Sequence, residues 1–249
     1  NDGGTLVAKD MFVVKSQTPV DPVITSIIHN LQTSWMSQAE DLIENHYGLV
    51  GGGDITLQFV RGLPGTESAN VGITAELGAN KASALTLTID LDDFGIAPPN
   101  GAGPLFNDRI IAHEMVHAVM AMNMDVSAMP GWFVEGTAEF LHGADERVKN
   151  DLANIANQEN FNSLFTTSVG SPTTSAGYSV SYIGVKLLDK EIRAYGGQGI
   201  KDLFAELKAG KSLDQALSAI SLTHAGMNGL WSNLASFESH VKSVGYANI

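Results

Sequence analysis

Five residues near the middle of the chain, His113-Glu114-Met115-Val116-His117, combine two imidazoles and a carboxylate at a spacing that suits a metal ion. On a helix, residues four apart lie on one face, one turn apart, so His113 and His117 can present two ring nitrogens to the same ion. Zinc accepts nitrogen and oxygen donors in a tetrahedral shell, and a catalytic site keeps one position open for water. Glu114, beside the first histidine, is placed to take a proton from that water as it attacks a carbonyl. Two histidines leave the shell incomplete, so a third protein ligand must come from elsewhere. The five-residue pattern has only three fixed positions and recurs by chance. A charged glutamate on a largely apolar helix nevertheless calls for a partner.

The missing donor is sought in Trp132-Phe133-Val134-Glu135-Gly136-Thr137-Ala138-Glu139. Glu135 follows a Pro130-Gly131 break, on a helix able to fold back against the first. Glu139 is one turn further along the same face. One carboxylate can ligate the ion. The other can accept the free ring N–H of a ligating histidine and so fix its tautomer. Surface carboxylates would be the ordinary alternative. Here, Trp132, Phe133, Val134, Ala138, Phe140 and Leu141 surround the pair and draw it towards the core.

The elements that must hold these residues follow from periodicity. Leu6, Val7, Met11, Phe12, Val13 and Val14 suggest one or two strands, and Ile24 to Ile43 carries a helical period over about 23–47, ended by Gly48 and Gly51-Gly52-Gly53. Strands are expected at 55–60, 71–77 and 85–91, the last with one buried and one wetter face; it could serve as the edge along which an extended peptide lies. A loop rich in glycine and proline, 95–104, leads into the metal helix at about 108–122, capped by Asn107 or Asp108. A second helix runs from Trp132 to about His142. Beyond residue 150 the chain reads as helical, near 151–158, 178–195, 200–209, 213–220 and 227–243. The expected division is an N-terminal α/β lobe, 1–124, ending in the metal helix, and a helical C-terminal lobe, 125–249, together one domain.

Composition narrows the classes. The 249 residues are 44% hydrophobic and carry a net charge of −13. That acidity argues against nucleic acid, whose phosphates need basic patches. No apolar run is long enough to span a bilayer. The chain has no cysteine, so it has no disulfide framework and no thiolate ligand or nucleophile. The start, Asn1-Asp2-Gly3-Gly4, reads as neither a signal peptide nor an initiator methionine, as expected of a piece of a longer protein. No G-x-S-x-G elbow is present.

Together the two stretches resemble the gluzincin metallopeptidases, in which H-E-x-x-H is followed by a W-x-x-E-G-x-A segment. The resemblance implies His113, His117 and Glu135 as zinc ligands, Glu114 as general base and Glu139 as the acidic residue behind the ligands. It also implies a downstream tyrosine near a helix start that donates to the oxyanion. Tyr178-Ser179-Val180-Ser181-Tyr182, with Tyr195-Gly196-Gly197 beyond, is similar to that segment and makes Tyr178 the candidate, with Tyr182 one turn on. The runs 110–141 and 178–197 look most like the flagellinolysin-type peptidase domain of bacterial flagellins, which is related to the collagenases. The implied fold is α+β, a two-lobe zincin of thermolysin-like architecture. The implied protein is extracellular or on the bacterial cell surface, with the flagellum as one such place, and part of a larger flagellin-like or surface protein.

Other residues rank below these. His224, and less so His240, could supply a late oxyanion donor. His29 and His46 read as ordinary histidines, and His142 as exposed and too close behind its helix to reach the same ion. Asp90, Asp92, Asp93, Asn123 and Asp125 are oxygen donors of the kind that bind calcium, Ca2+, although no EF-hand spacing occurs. The expectation is a Zn2+-dependent endopeptidase acting on protein or peptide substrates. An aminopeptidase is disfavoured by the lack of a G-x-M-E-N-like segment. The alternative from another class is a non-catalytic surface or filament module with a structural or vestigial metal site, against which Glu114 argues.

Overall fold

The computed structural model describes residues 5–8, 12–15, 22–63, 69–74, 81–94 and 107–249. The expected strand positions Met11 and 75–77 and the loop 95–104 lie outside them. The described chain mixes helices and strands and is mostly helical. It forms two compact units, 1–45 with 49–125, and 46–48 with 126–249. No described helix is long and apolar enough to cross a membrane.

The first unit contains a five-stranded mixed sheet. Its strands are β1 (Thr5–Ala8), β2 (Phe12–Lys15), β3 (Gly53–Val60), β4 (Ala69–Thr74) and β5 (Ala84–Asp90), in the order β1-β2-β3-β5-β4. β3 and β5 run parallel with Ile55 opposite Leu85 and Leu57 opposite Leu87, so one face of the pair is a continuous apolar strip. β5 is an interior strand, paired on its other side with antiparallel β4. It therefore cannot be the edge that receives a peptide, because both rows of its backbone groups are taken. Thr88 and Asp90, expected on a wetter face, are buried. The edge on that side is β4.

The expected helix over 23–47 is present but not uniform. α1 (Pro22–Asn30) and α2 (Met36–Tyr47) are joined by a π-helical turn, Leu31–Trp35. The Met36 N–H bonds the Leu31 carbonyl. Ile27, Leu31, Trp35, Met36 and Ile43 are all buried along this segment. α3 (Asn107–Asn123) is apolar nearly all round, as a helix running through a core must be, and packs on β4 and the π turn. Asn107, expected as its cap, is the first helical residue instead. At the far end Asn123 donates its amide to the carbonyls of Val50 and Val119, both at 2.8 Å.

The second unit is helical: α4 (Gly131–His142), α5 (Asp145–Asp151), α6 (Gln158–Ser168), α7 (Ser175–Ala194), α8 (Ile200–Lys208), α9 (Leu213–Thr223) and α10 (Leu234–Val244). α7 is the longest, and α4, α5, α6 and α8 all pack on it. The helix expected at 151–158 is instead a break between α5 and α6. Asn157 ends it by accepting a hydrogen bond from the Asn160 N–H at 2.9 Å, so α6 starts after it. The stretch read as one helix over 227–243 is divided for the same reason. A 3-10 turn, Ala225–Gly229, precedes α10, which Asn233 and Ser236 open with a reciprocal capping box.

Trp132 sits at the centre of this unit with ring centroids 5.3 Å from Phe165 and 5.6 Å from Phe237, and its indole N–H donates to Glu238. Tyr47, from the short segment 46–48, is fully buried here. Its ring packs on Phe204 and its hydroxyl donates to the carbonyl of Thr137 at 2.5 Å. Burial, reinforced by the negative charge of Asp189, holds that phenol well above its ordinary pKa, so it stays a donor.

Candidate metal centre

α3 sets its two histidines one turn apart, and the ring nitrogens face each other. His113 Nε2 and His117 Nε2 are 3.1 Å apart, with the ring planes at 80°. Two donors on one tetrahedral zinc, each at 2.0–2.1 Å, would be separated by about 3.3 Å. The observed spacing is therefore close to that of two ligands on a shared ion. Both histidines are half-buried, while Glu114, the next residue, is 7% exposed.

α4 carries the carboxylates. It begins at Gly131, where a Cβ would stand 2.7 Å from the Gly170 carbonyl oxygen, so only glycine lets α4 start this close to the 168–171 segment. Trp132 and Phe133 anchor the first turn in the core, Glu135 is half-buried and Glu139 is 3% exposed. Two groups of residues could hold a metal ion among those described. His113, His117 and Glu135 form one, and His113, Glu139 and His142 the other; within each, one ligand atom per residue lies within 4.8 Å of the rest. A donor set of two imidazoles and a carboxylate is what zinc accepts. His142, expected to be exposed, is not. As the last residue of α4 its side chain is only 10% exposed, and its Nε2 is 3.6 Å from Glu139 Oε2, because the i,i+3 spacing stacks the two on one face.

Behind Glu139 lies a polar cluster that the sequence does not advertise. Arg147 on α5 donates from one guanidinium nitrogen to Glu139 Oε1 at 3.3 Å and from another to Ser175 Oγ at 2.9 Å. Its Cζ lies 5.5 Å from the centre of the Tyr178 ring. Tyr178 is half-buried in the first turn of α7, whose cap is Thr174. Ser175 and Ser179 both donate to Asp151 Oδ2, at 2.9 and 2.6 Å, which ties the start of α7 to α5. No spacing rule links residues 139, 147 and 178, so Arg147 is visible only once the helices are packed.

The remaining candidates have other occupations. The Tyr182 hydroxyl donates to Asp145 Oδ1 at 2.8 Å, and Lys186 lies over its ring. Burial, then Asp145, raises the Tyr182 pKa, while the Lys186 ammonium and then the Tyr182 hydroxyl hold Asp145 below the usual carboxylate range. Tyr182 is thus a structural donor. His224 ends α9 and lies beside Gly197. His240 meets Glu191 Oε2 at 2.6 Å, and Glu191 also accepts from the Trp231 indole. Neither histidine belongs to a metal group among the described residues. His29 and His46 are exposed.

The oxygen donors considered for calcium are also committed. Asp90 accepts the backbone N–H groups of Leu63, Asp92 and Gly62 at 2.6, 2.9 and 3.2 Å, and Asp92 pairs with Arg61 at 2.6 Å. The Asp92 N–H is the largest of the influences that keep Asp90 ionised to lower pH than usual. A carboxylate already saturated by N–H donors is a poor cation ligand. Asn123 spends its amide on two carbonyls. No family model matches this chain, and neither a curated protein nor a solved structure resembles it.

Proposed function

We propose that this chain is a zinc-dependent endopeptidase that cleaves peptide bonds in protein substrates. The observation that carries the reading is the group of His113, His117 and Glu135, three zinc-type donors within 4.8 Å, with Glu114 adjacent in sequence to the first. A structural site has no use for a base next to its ligands; a hydrolytic one requires it. When bound, zinc would supply a Lewis acid and make water acidic enough to attack at neutral pH.

The protein's own groups do the rest. Glu114 accepts a proton from the attacking water and returns it to the departing amine. Tyr178 donates a hydrogen bond to the oxygen that gains negative charge as the carbonyl becomes tetrahedral. Glu139 holds the orientation of a ligating imidazole. The reading goes with a thermolysin-like zincin architecture, supported by the sheet-and-helix content of the unit that carries α3 and the helical content of the unit that carries α4. It also goes with a setting outside the cell, as the resemblance to flagellinolysin-type domains implies.

Metal analysis of the purified chain, combined with casein digestion before and after chelation and after zinc is restored, tests it. One zinc per chain and hydrolysis that chelation abolishes and zinc restores are expected. A preparation without zinc and without chelator-sensitive hydrolysis would overturn the reading in favour of a non-catalytic module.

A further inference from the structure

The side chain of Arg147 is 15% exposed, and its Nε is buried without a hydrogen-bond partner among the described residues. Burying a guanidinium is costly unless its charge and donors are used. Three of its uses converge. The guanidinium lies 5.5 Å from the centre of the Tyr178 ring, and its two terminal nitrogens donate to Glu139 and Ser175. We propose that Arg147 is a positioning residue for the peptidase site, fixing the Glu139 carboxylate and the Tyr178 phenol with one rigid group. The assignment rests on the endopeptidase reading above, since it gives meaning to Glu139 and Tyr178 only as parts of that site.

The arrangement around Arg147 explains how one side chain does both. Arg147 and Asp151 are four residues apart on α5, and so present one helix face. Ser175, Tyr178 and Ser179 share a face at the start of α7 by the same rule. Asp151 holds both serines, which fixes where the first turn of α7 lies against α5. Arg147 then has a fixed platform, and its donors reach Glu139 on α4. A mere staple between α5 and α7 would need only Ser175 and Asp151. The further contacts to Glu139 and Tyr178 are what a positioning role requires. A planar guanidinium donates in its plane and packs a ring on its face, whereas a lysine ammonium is a point charge and does one or the other.

The test compares Arg147→Lys, Arg147→Met, Tyr178→Phe and the Arg147→Lys/Tyr178→Phe double variant in the whole chain. It reads kcat and KM on a fluorogenic peptide, bound zinc and the thermal midpoint. Arg147→Lys and Arg147→Met are expected to lower kcat about 10- to 100-fold, the usual effect of removing a group behind a metal ligand, with KM and zinc stoichiometry unchanged. In the Tyr178→Phe background, Arg147→Lys should cost much less, because its effect runs through the phenol. A thermal midpoint that falls while kcat per folded molecule stays at the wild-type value would overturn the proposal and leave a structural arginine. Full additivity in the double variant would also overturn it. Should Arg147→Met fail to fold, Arg147→Lys decides alone. Failure of the peptidase reading looks different: the wild-type chain itself would show no zinc-dependent turnover, and the proposal would fall with it.

Discussion

Gly136 of α4 lies against the backbone carbonyl of Ser181 on α7, so closely that a methyl group there would overlap the carbonyl oxygen and stand 2.7 Å from a Val185 methyl. The residue after Glu135 is therefore the contact point of the two helices that carry the carboxylates and the tyrosine. Gly136→Ala is expected to destabilise the chain by about 1–3 kcal/mol through overpacking. Gly184→Ala, whose new methyl would meet a Phe165 ring carbon at 3.1 Å, should cost less, because a ring edge gives way more easily than backbone. Denaturant midpoints of the two variants check the order.

Glu114→Gln keeps the size and removes the proposed base. With the ligands untouched, zinc should remain bound at wild-type stoichiometry while kcat falls about 10²- to 10⁴-fold. Metal analysis and casein hydrolysis on the same preparation give the answer. Turnover retained at the wild-type rate would remove Glu114 from the mechanism.

The two neighbouring tyrosines should part company. Tyr178→Phe deletes the proposed oxyanion donor and should lower kcat about 10²- to 10³-fold. Tyr182→Phe deletes a hydroxyl already donated to Asp145, so it should cost about 1 kcal/mol of stability and leave kcat near wild type. Kinetics and thermal unfolding of both variants separate the roles, and the reverse ranking would exchange them.

Zinc held by the proposed ligands should stabilise the folded chain, since those residues come together only when it is folded. The thermal midpoint should rise with free zinc, by about 2.7 kcal/mol of stability at a hundredfold excess over Kd. Glu135→Gln should weaken that shift by exchanging a charged ligand for a neutral one. A midpoint insensitive to zinc in the wild-type chain would count against the ligand set.

Asp90 supplies a pH test away from the site. Its folded pKa lies below the ordinary value of 3.8, so the ionised form is the one the fold prefers. Its contribution to stability is complete above that value and is lost as pH falls through the depressed folded pKa. Asp90→Asn should therefore be less stable than wild type at neutral pH, and the two unfolding curves should converge in acid. A gap that persists unchanged into acid would mean that the side chain acts by shape and not by charge.

How much of this was legible beforehand depended on distance along the chain. The helices bearing His113 and Glu135 stand where local periodicity puts them, because an apolar stripe and a Pro130-Gly131 break are short-range signals. The sequence alone allows β5 to be an edge, since strand order is decided by pairing with β3 and β4 rather than by anything within 85–91. The break at 151–157 turned on one asparagine side chain, which competes with the helix for backbone donors. His142 reads as exposed in the sequence although its i,i+3 spacing to Glu139 is in view, because burial depends on what packs against it. Arg147 escapes notice for a different reason. A residue whose work is to touch three others, each on another turn or helix, has no period to announce it.

Tyr47 carries a consequence for dissection of the molecule. The helical unit borrows residues 46–48 from a stretch that precedes most of the sheet. A fragment cut out at residue 126 would lack that ring, leaving an aromatic-sized void beside Phe204 and losing the hydrogen bond to the Thr137 carbonyl. Autonomous expression of the C-terminal half should thus yield a loosened product, because the helical unit is complete only when a borrowed ring from far upstream plugs it.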